Sequence, residues 1–484
     1  MLVKITKMMY DESDDWFHIG RPIFFYITLE DSMKIIIVGC GKVGLAIVAQ
    51  LSKEKHDVTI VDVNKQNVET TTNLYDVFGV VGNGASAQVL EQAGIADADL
   101  LIAMTGNDEL NMLSCLIAQK IGHCKTISRI HNPEYNDELN IIKEELGLAM
   151  TVNSEQMAAE EIARLIRFPS AQKIESFAKG KVDIIKYKIP ENSKLDGCRV
   201  MDLAHRFLVK MLICAVEHDN EVFIPNGEYV LHSGDLISFI ATGGMATELF
   251  MKLGLGRRKI STCMIVGGGG VSYYLAKLLL RMNVRVTIID KNRDRCNFLS
   301  DELDDEAIVI CGDAVDQSIL DEEGIRDMDA VCAMTNLDET NILLSLYARE
   351  NSKAKLITKV HRLNYGEIIS GLDLDSVICP KNIVADNIIQ YVRAMQNSLG
   401  SNVETLYKII EDRAEALEFY VKKDSPVVGI PLENLEMKED LIVAGILHGR
   451  RAEIPHGKSI IRAGDSVVVV TTREGLNDIS DILK

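Results

Sequence analysis

Residues 35–44 read IIIVGCGKVG, and residues 264–273 read MIVGGGGVSY, a near copy of the first segment. In both segments an apolar run ends in glycines with G-x-G spacing, and residues with helical spacing follow. A strand, a glycine turn and a helix in this order are typical of a nucleotide-binding βαβ unit. The motif therefore predicts a parallel α/β fold, and its repetition predicts that the chain contains this unit twice.

The duplication extends beyond the glycine turns. A shift of about 230 residues matches Gly82 with Gly312 and residues 91–111 with residues 321–341. The same shift matches FIPNGEYVLHSGDLISFIAT at 223–242 with EIPHGKSIIRAGDSVVVVTT at 453–472. Self-similarity at a fixed period indicates a repeated structural unit. Each unit here is long enough for two domains.

We predict an α/β protein with two Rossmann-like doubly wound parallel-sheet domains, each followed by a small α+β domain. The predicted limits are 33–174 and 257–402 for the Rossmann-like domains, and 175–256 and 403–484 for the small domains. Residues 1–32 have neither helical nor strand periodicity, and Met33 is a second plausible start. We therefore expect residues 1–32 to be a poorly ordered N-terminal extension.

Composition narrows the class of protein. The 484 residues are 47% hydrophobic and 25% charged, as in soluble globular proteins, and no apolar run is long enough to span a membrane. The net charge of −19 argues against binding to nucleic acid. The ten cysteines form no C-x-x-C pair. We expect reduced, mostly buried thiols in a cytosolic protein.

The glycine motif predicts a dinucleotide site with assigned roles. Gly39 permits the tight turn, Gly41 lets a pyrophosphate approach the backbone, and Gly44 lets the helix pack closely on the strand. Asp62 ends the next strand, where it can accept hydrogen bonds from ribose hydroxyls and repel a 2′-phosphate, which favours NAD(H) or an adenine nucleotide over NADP. The predicted residues of the turn and its acid are Gly39, Cys40, Gly41, Lys42, Val43, Gly44 and Asp62.

Further candidates end later strands, on the ligand side of the predicted sheet. Asn83 and Thr105 are placed to contact a nucleotide, although an ordinary strand-to-helix turn explains Asn83 equally well. Arg129 is a candidate for phosphate contact or a surface charge. The predicted residues of the second site are Gly267, Gly269, Asp290 and Asp313.

Two substitutions distinguish the second glycine turn. Ser272 stands where the first turn has Gly44, and Gly270 stands where it has Lys42. Serine is also a small residue, so we predict that replacing the glycine at this packing position costs little. The loss of Lys42 removes a cation from the mouth of the phosphate turn, so we expect weaker or different nucleotide binding at the second site.

We predict no catalytic residues and no metal ligands. His218, His232 and His456 fall in hairpin-like segments with no evident partners, and Asp108 and Asp338 are interpreted as helix N-caps.

Taken together, these features resemble the tandem branch of the RCK (KTN) family, the regulators of K⁺ conductance, and in particular the Trk potassium-uptake regulators. The resemblance covers residues 33–484 and includes the glycine turn, Asp62, GNGAS at 82–86, IAMTGNDELN at 102–111 and the repeated small domain. It implies a cytoplasmic protein at the inner face of the membrane that binds NAD(H), with ATP or ADP as alternative ligands. It also implies a ring, typically a homotetramer, that gates a Trk-type membrane subunit.

An NAD-dependent oxidoreductase is the alternative function. Hydride transfer usually needs a positioned acid or base and a pocket for a second substrate. The module after each glycine-turn domain is small and contains no convincing set of such residues. We therefore expect a regulator that is not an enzyme.

Overall fold

A six-stranded parallel sheet forms the first half of the chain, with strand order β3-β2-β1-β4-β5-β6. Its strands are β1 (Lys34–Val38), β2 (Asp57–Asp62), β3 (Phe78–Val81), β4 (Leu100–Ala103), β5 (Lys125–Arg129) and β6 (Met150–Val152). The helices of this half are α1 (Lys42–Lys53), α2 (Lys65–Leu74), α3 (Ala87–Gln92), α4 (Asp108–Gly122), α5 (Leu139–Glu145) and α6 (Ser154–Arg167). Ile35, Ile36, Ile37 and Val38 are all buried because helices cover both faces of the sheet.

A second parallel sheet repeats this order as β14-β13-β12-β15-β16-β17. Its strands are β12 (Thr262–Val266), β13 (Arg285–Asp290), β14 (Ile308–Cys311), β15 (Ala330–Ala333), β16 (Lys355–Lys359) and β17 (Ser376–Ile378). The helices described in this half are α8 (Gly270–Arg281), α9 (Arg293–Glu302), α10 (Gln317–Glu322), α11 (Asp338–Asn351) and α12 (Pro380–Ser398). Two Rossmann-like sheets with one topology confirm the predicted fold class and the duplication.

Each parallel sheet is followed by a small five-stranded antiparallel sheet, in the orders β10-β9-β11-β8-β7 and β18-β19-β22-β20-β21. The first contains β7 (Lys173–Phe177), β8 (Val182–Lys188), β9 (Leu212–His218), β10 (Glu221–Phe223), β11 (Leu236–Thr242) and the short helix α7 (Leu203–Phe207). The second contains β18 (Val403–Ile409), β19 (Ala414–Tyr420), β20 (Leu441–His448), β21 (Arg451–Glu453) and β22 (Ser466–Thr471).

The halves exchange their last Rossmann helices. Helix α6 follows the first sheet, but its buried residues Ala159 and Ile162 pack with Val271 and Leu275 of α8 in the core of the second half. Conversely, α12 contributes Val384, Ala385, Ile388, Ile389 and Val392 to the core of the first half. The two Rossmann-like domains therefore share their hydrophobic cores.

The two small sheets also pack against each other. Val182 and Ile184 of the first sheet share one buried cluster with Ala416 and Val468 of the second. Beside this cluster, an Arg413 Nη2 to Glu217 Oε1 contact of 2.5 Å joins the sheets. Thus the Rossmann-like domains pair with each other, and so do the small domains.

These coordinates come from a computed structural model that describes residues 32–132, 135, 138–169, 171–177, 182–208, 211–219, 221–242, 250–252, 260–304, 306–361, 372, 374–398, 403–409, 413–449, 451–473, 476 and 478–484. The prediction for the N-terminal extension and the domain boundary predicted near 253–259 lie outside these residues, apart from Ser32. In the described part of the chain, every helix is too short or too polar to cross a membrane. All ten cysteines are free thiols and all but Cys311 are buried, as predicted.

Candidate functional site

The first glycine turn joins β1 to α1, and each of its glycines has a distinct steric reason. Gly39 has φ +98°, and a Cβ there would lie 2.9 Å from the Thr105 nitrogen. A Cβ on Gly44 would lie 2.0 Å from the Gly39 oxygen, so α1 needs a glycine at this point. By contrast, a Cβ on Gly41 would have no atom within 4 Å. The turn is therefore tight on its inner side and open at Gly41, as a phosphate-binding turn requires.

The start of α1 is suited to an anion. Gly41 is the N-cap and has no side chain to bond the free N–H groups of the first turn, and Lys42 is the first helical residue. The helix N-terminus carries partial positive charge, to which Lys42 adds a full charge. Val43 packs against the core, and Cys40 contributes its backbone. Burial and Asp62 raise the pKa of the Cys40 thiol to about 12, so the thiol stays protonated.

Asp62 ends β2 and fixes the glycine turn to that strand. Its Oδ2 accepts a 2.7 Å hydrogen bond from the Cys40 N–H, and its Oδ1 accepts one of 2.8 Å from the Asn64 N–H. In this fold an acid at the end of the second strand is positioned for a ribose. Here the same carboxylate also orders the phosphate turn.

Thr105 and Arg129 end neighbouring strands and are held by Asn111, a buried residue of α4. The Asn111 amide accepts from the Thr105 hydroxyl at 2.7 Å and donates to the Arg129 carbonyl at 3.1 Å. Asn83 follows β3, and its Oδ1 accepts from the Ala85 N–H at 2.9 Å. No motif indicated a role for Asn111, although its recurrence as Asn341 in the second repeat was the available signal.

Arg129 is a cation of the first site that is available to an anion. Its Nη1 donates to the Thr105 carbonyl at 3.3 Å, while its Nε is buried and has no hydrogen-bond partner among the described atoms. A buried guanidinium nitrogen without a partner is costly unless an anion or a water completes it. The residues of the first site therefore fit a nucleotide phosphate.

The second site has the same backbone frame. Gly267 has φ +102°, and Gly269 is as open as Gly41. Asp290 Oδ2 accepts from the Gly268 N–H at 2.6 Å, as Asp62 does from Cys40. Arg295, which no sequence motif indicated, donates from Nε to the Gly268 carbonyl and occupies the position of Asn67 in the first repeat.

Ser272 shows how the second turn dispenses with its last glycine. Its side chain is fully buried, and its hydroxyl donates to the Gly267 carbonyl at 2.5 Å. The corresponding oxygen in the first repeat, on Gly39, is the one that a Cβ on Gly44 would strike. The serine thus satisfies its own hydroxyl within the turn.

A carboxylate lies at the mouth of the second turn. A Cβ on Gly270 would lie 1.8 Å from Oε2 of Glu155, a residue in the first turn of the exchanged helix α6. The first turn has Lys42 at this position, whereas the second has the Glu155 carboxylate, which lies close enough to Lys359 to oppose the lowering of that lysine's pKa by burial. The position equivalent to Glu155 in the other exchanged helix is Lys381. No sequence pattern indicated that Glu155 would reach the other half.

Asn153 fixes the position of Glu155. Its side-chain oxygen caps α6 by accepting from the N–H groups of Glu155 and Gln156 at 3.1 and 3.0 Å. Its amide nitrogen donates to the Tyr274 hydroxyl on α8 at 3.1 Å. A single buried side chain therefore begins α6 and joins it to the helix of the second site.

The end of β16 brings the two sites into electrostatic contact. Burial lowers the pKa of Lys359 to about 8, against the opposing effects of Glu155 and Asp338, and Lys42 of the first site lowers it further. Asp313, the last predicted residue of the second site, accepts from the Val315 N–H at 3.1 Å as Asn83 does from Ala85. The second site therefore has a carboxylate where the first has an amide.

Two predictions about polar residues are wrong. Asn107, not Asp108, caps α4, while the buried Asp108 accepts from the His131 and Asn132 N–H groups at 2.9 and 2.8 Å. Asp338 likewise accepts from the His361 N–H at 2.8 Å instead of capping α11.

The second wrong prediction is that the histidines of the small domains have no evident partners. His218 lies 2.6 Å from Asp235 and its ring centroid is 5.4 Å from that of His232. The partners come from a separate strand and turn, so their proximity depends on the antiparallel pairing of β9 with β11.

Comparison with known proteins agrees with this architecture. The TrkA-N domain model matches residues 35–153 and 263–380, and the TrkA-C domain model matches residues 184–254 and 416–484. The Trk system potassium uptake protein TrkA homolog of Archaeoglobus fulgidus is 32% identical over 454 residues, which cover 93% of this chain and all of that protein. Homolog 1 of Methanosarcina mazei is 30% identical over 460 residues, with the same coverage of both chains.

Among solved structures, the GsuK channel bound to NAD superimposes with a TM-score of 0.61 at 18% identity, covering 92% of this chain and 77% of the channel chain. The GsuK RCK domain superimposes with a TM-score of 0.60 at 17% identity, covering 92% and 93% of the two chains. These likenesses show a shared fold. With its two TrkA-N and two TrkA-C domains, the chain belongs to the TrkA family of Trk system potassium uptake proteins.

Proposed function

We propose that the chain is a nucleotide-binding regulatory subunit that gates a Trk-type potassium uptake channel or transporter. The observation that carries this proposal is the presence of two phosphate-binding turns in one pair of domains whose last helices are exchanged. The names of the TrkA relatives and the NAD bound to the GsuK channel support it. NAD(H) is the proposed ligand, with ATP and ADP as alternatives.

Binding alone is sufficient for such regulation. A nucleotide shifts a conformational equilibrium by its difference in affinity for the two states. In the first site the N–H groups at the start of α1, Lys42 and Arg129 would hold the phosphates, and Asp62 would accept from a ribose. Because α12 packs on α1, a displacement of the turn would be transmitted to the second half.

The proposed assembly is a homotetrameric ring at the cytoplasmic face of the inner membrane, in contact with the membrane subunit and without nucleic acid. The domain limits 33–174, 175–256, 257–402 and 403–484 are part of this proposal. Limited proteolysis should cut near the limits at 256/257 and 402/403, whereas the limit at 174/175 falls inside β7 and should be protected by its pairing with β8. Light scattering should give four chains per particle, and a monomer would contradict the ring.

We further propose that the two sites bind nucleotides unequally. Lys42 stabilises phosphate at the first turn, whereas Glu155 presents negative charge at the second. A hydrogen bond to a charged group is worth about 1.5 kcal/mol or more, which is about tenfold in nucleotide affinity. The second site should therefore be the weaker for ATP, ADP and NAD(H).

Variants that block one site at a time test this inequality. Gly41→Glu and Gly269→Glu each direct a carboxylate into the open space of one turn, so calorimetric titration of each variant measures the other site. In the Gly269→Glu background, Lys42→Gly should weaken ATP binding by about tenfold. In the Gly41→Glu background, Glu155→Gln should strengthen it by about tenfold. Equal affinities of the two blocked proteins would contradict the inequality.

A turnover assay tests the proposal that the chain is not an enzyme. Purified protein should bind NADH without oxidising it in the presence of carbonyl substrates. Oxidation of NADH that is lost in Asp62→Ala would instead favour the oxidoreductase.

A further inference from the structure

We propose that the first small domain contains a binding site for a zinc-like divalent cation, formed by His218, His232 and Asp235. One ligand atom from each residue can be chosen so that all of them lie within 4.8 Å of one another. Two imidazoles and one carboxylate form a ligand set that zinc prefers, with a fourth position left for water. This site is separate from both glycine turns and is independent of the proposed nucleotide regulation.

The ligand atoms are close enough for side-chain adjustment to bring them around an ion. His218 Nδ1 lies 2.6 Å from Asp235 Oδ1, and His232 Nδ1 lies 4.0 Å from Asp235 Oδ2. Tetrahedral zinc with bonds of about 2.0 Å separates its ligand atoms by about 3.3 Å. Because one carboxylate oxygen serves as the ligand atom, the His218–Asp235 separation must widen by about 0.7 Å, and separations as long as 4.8 Å must contract by about 1.5 Å. The cation would replace the proton shared by His218 and Asp235.

The carboxylate is held in place and the imidazoles are accessible. The Asp235 side chain is fully buried, and its Oδ2 accepts from the His232 N–H at 2.9 Å and from the Tyr229 hydroxyl at 3.1 Å. The His218 and His232 side chains are 42% and 53% exposed, so an ion can reach them from solvent. Such supporting hydrogen bonds orient ligands in metal sites.

The second small domain is an internal comparison. There His448 Nδ1 lies 2.9 Å from Asp465, and the Asp465 carboxylate accepts from the Arg462 N–H at 2.7 Å. The histidine–aspartate pair therefore forms without a metal in the same turn geometry. Arg462 stands in place of His232, and a guanidinium cannot ligate a cation. The site is thus assigned to the first small domain, because His232 supplies the third ligand there.

The test is a calorimetric titration of the full chain with Zn²⁺, together with the visible absorption of Co²⁺ as a reporter of tetrahedral ligation. We expect one zinc ion per chain at micromolar affinity and a cobalt spectrum of imidazole and oxygen ligands. His232→Arg reproduces the residue of the second domain, so it should fold normally and weaken zinc binding at least tenfold. His456→Ala and Cys311→Ser remove an exposed histidine and the exposed thiol, and should leave binding unchanged.

Three results would overturn the assignment. The first is wild-type protein that binds no zinc below about 100 μM. The second is a His232→Arg protein with wild-type zinc affinity. The third is loss of binding in Cys311→Ser, which would place the zinc on the thiol instead.

Discussion

Gly44 and Ser272 show how one contact decides which residue a position accepts. A Cβ on Gly44 would lie 2.0 Å from the Gly39 oxygen, so Gly44→Ala must move α1 away from the turn. We expect about 1–3 kcal/mol loss in the free energy of unfolding, measured in urea, and weaker nucleotide binding at the first site. The matched change Ser272→Ala should cost about 1 kcal/mol, because it removes one hydrogen bond. A larger loss from Ser272→Ala than from Gly44→Ala would contradict this explanation.

His56 gives the first half a dependence on pH. Burial lowers the pKa of His56 from its ordinary 6.5; Arg393 also lowers it, and Glu54 opposes them. Because the folded pKa is below the unfolded one, protonation favours unfolding. The neutral ring therefore contributes stability above about pH 6.5 that is lost as pH falls through the folded pKa. Urea unfolding between pH 5 and 7.5 should show this slope and a smaller one in His56→Gln; identical slopes would contradict the assignment.

At the residue scale, the sequence predicted the groups whose roles follow from local backbone geometry. The three glycines of the first turn and Asp62 lie where the motif indicates, because one strand, one turn and one helix position them. The position of Glu155 beside Gly270 was not predicted, because it depends on packing between the two halves. The pairing of His218 with Asp235 likewise depends on sheet register.

The exchanged helices are the elements that couple the two halves. The apolar residues of α12 form one face of the helix, and no local pattern specifies which surface that face covers. In the structure it covers α1. Arg393 of α12 also forms hydrogen bonds to Glu54, with Nη2 2.5 Å from Oε1 and Nε 3.2 Å from Oε2. Each Rossmann-like core therefore includes a helix that is distant in the sequence and belongs to the other half.

Truncation of a buried residue of α12 tests this exchange. Ile388 is fully buried in the core of the first half, so Ile388→Ala should cost about 2–5 kcal/mol. Hydrogen exchange should then accelerate in residues 42–53, which belong to the other half. Gln390→Ala, on the half-buried side of α12, is the control and should leave exchange unchanged. Faster exchange confined to residues 380–398 in Ile388→Ala would contradict the shared core.

At the scale of the whole molecule, the repeat predicted two similar units, and the structure adds how they combine. Each Rossmann-like domain completes its core with a helix from the other, and the two small sheets bury a common cluster. The sequence repeat could not reveal this pairing, because repetition is compatible with separate units as well as with interlocked ones. Under the proposed function, this interlocking would let a nucleotide bound at one turn influence the other.

This interlocking predicts coupling between the sites. Lys42 and Glu155 both act on the charge of Lys359, so phosphate bound near Lys42 should alter the affinity of the second site. Calorimetric titration of NADH into the wild type should differ from the sum of titrations into Gly41→Glu and Gly269→Glu. Simple addition of the two single-site curves would indicate independent sites.

The most direct test of the central claim is K⁺ flux through the partner membrane subunit in liposomes, with and without this chain and nucleotide. We predict that flux depends on the chain, that NADH, ATP or ADP changes this dependence, and that Gly41→Glu removes most of the nucleotide effect. Flux that the chain changes equally with and without each nucleotide would contradict nucleotide gating.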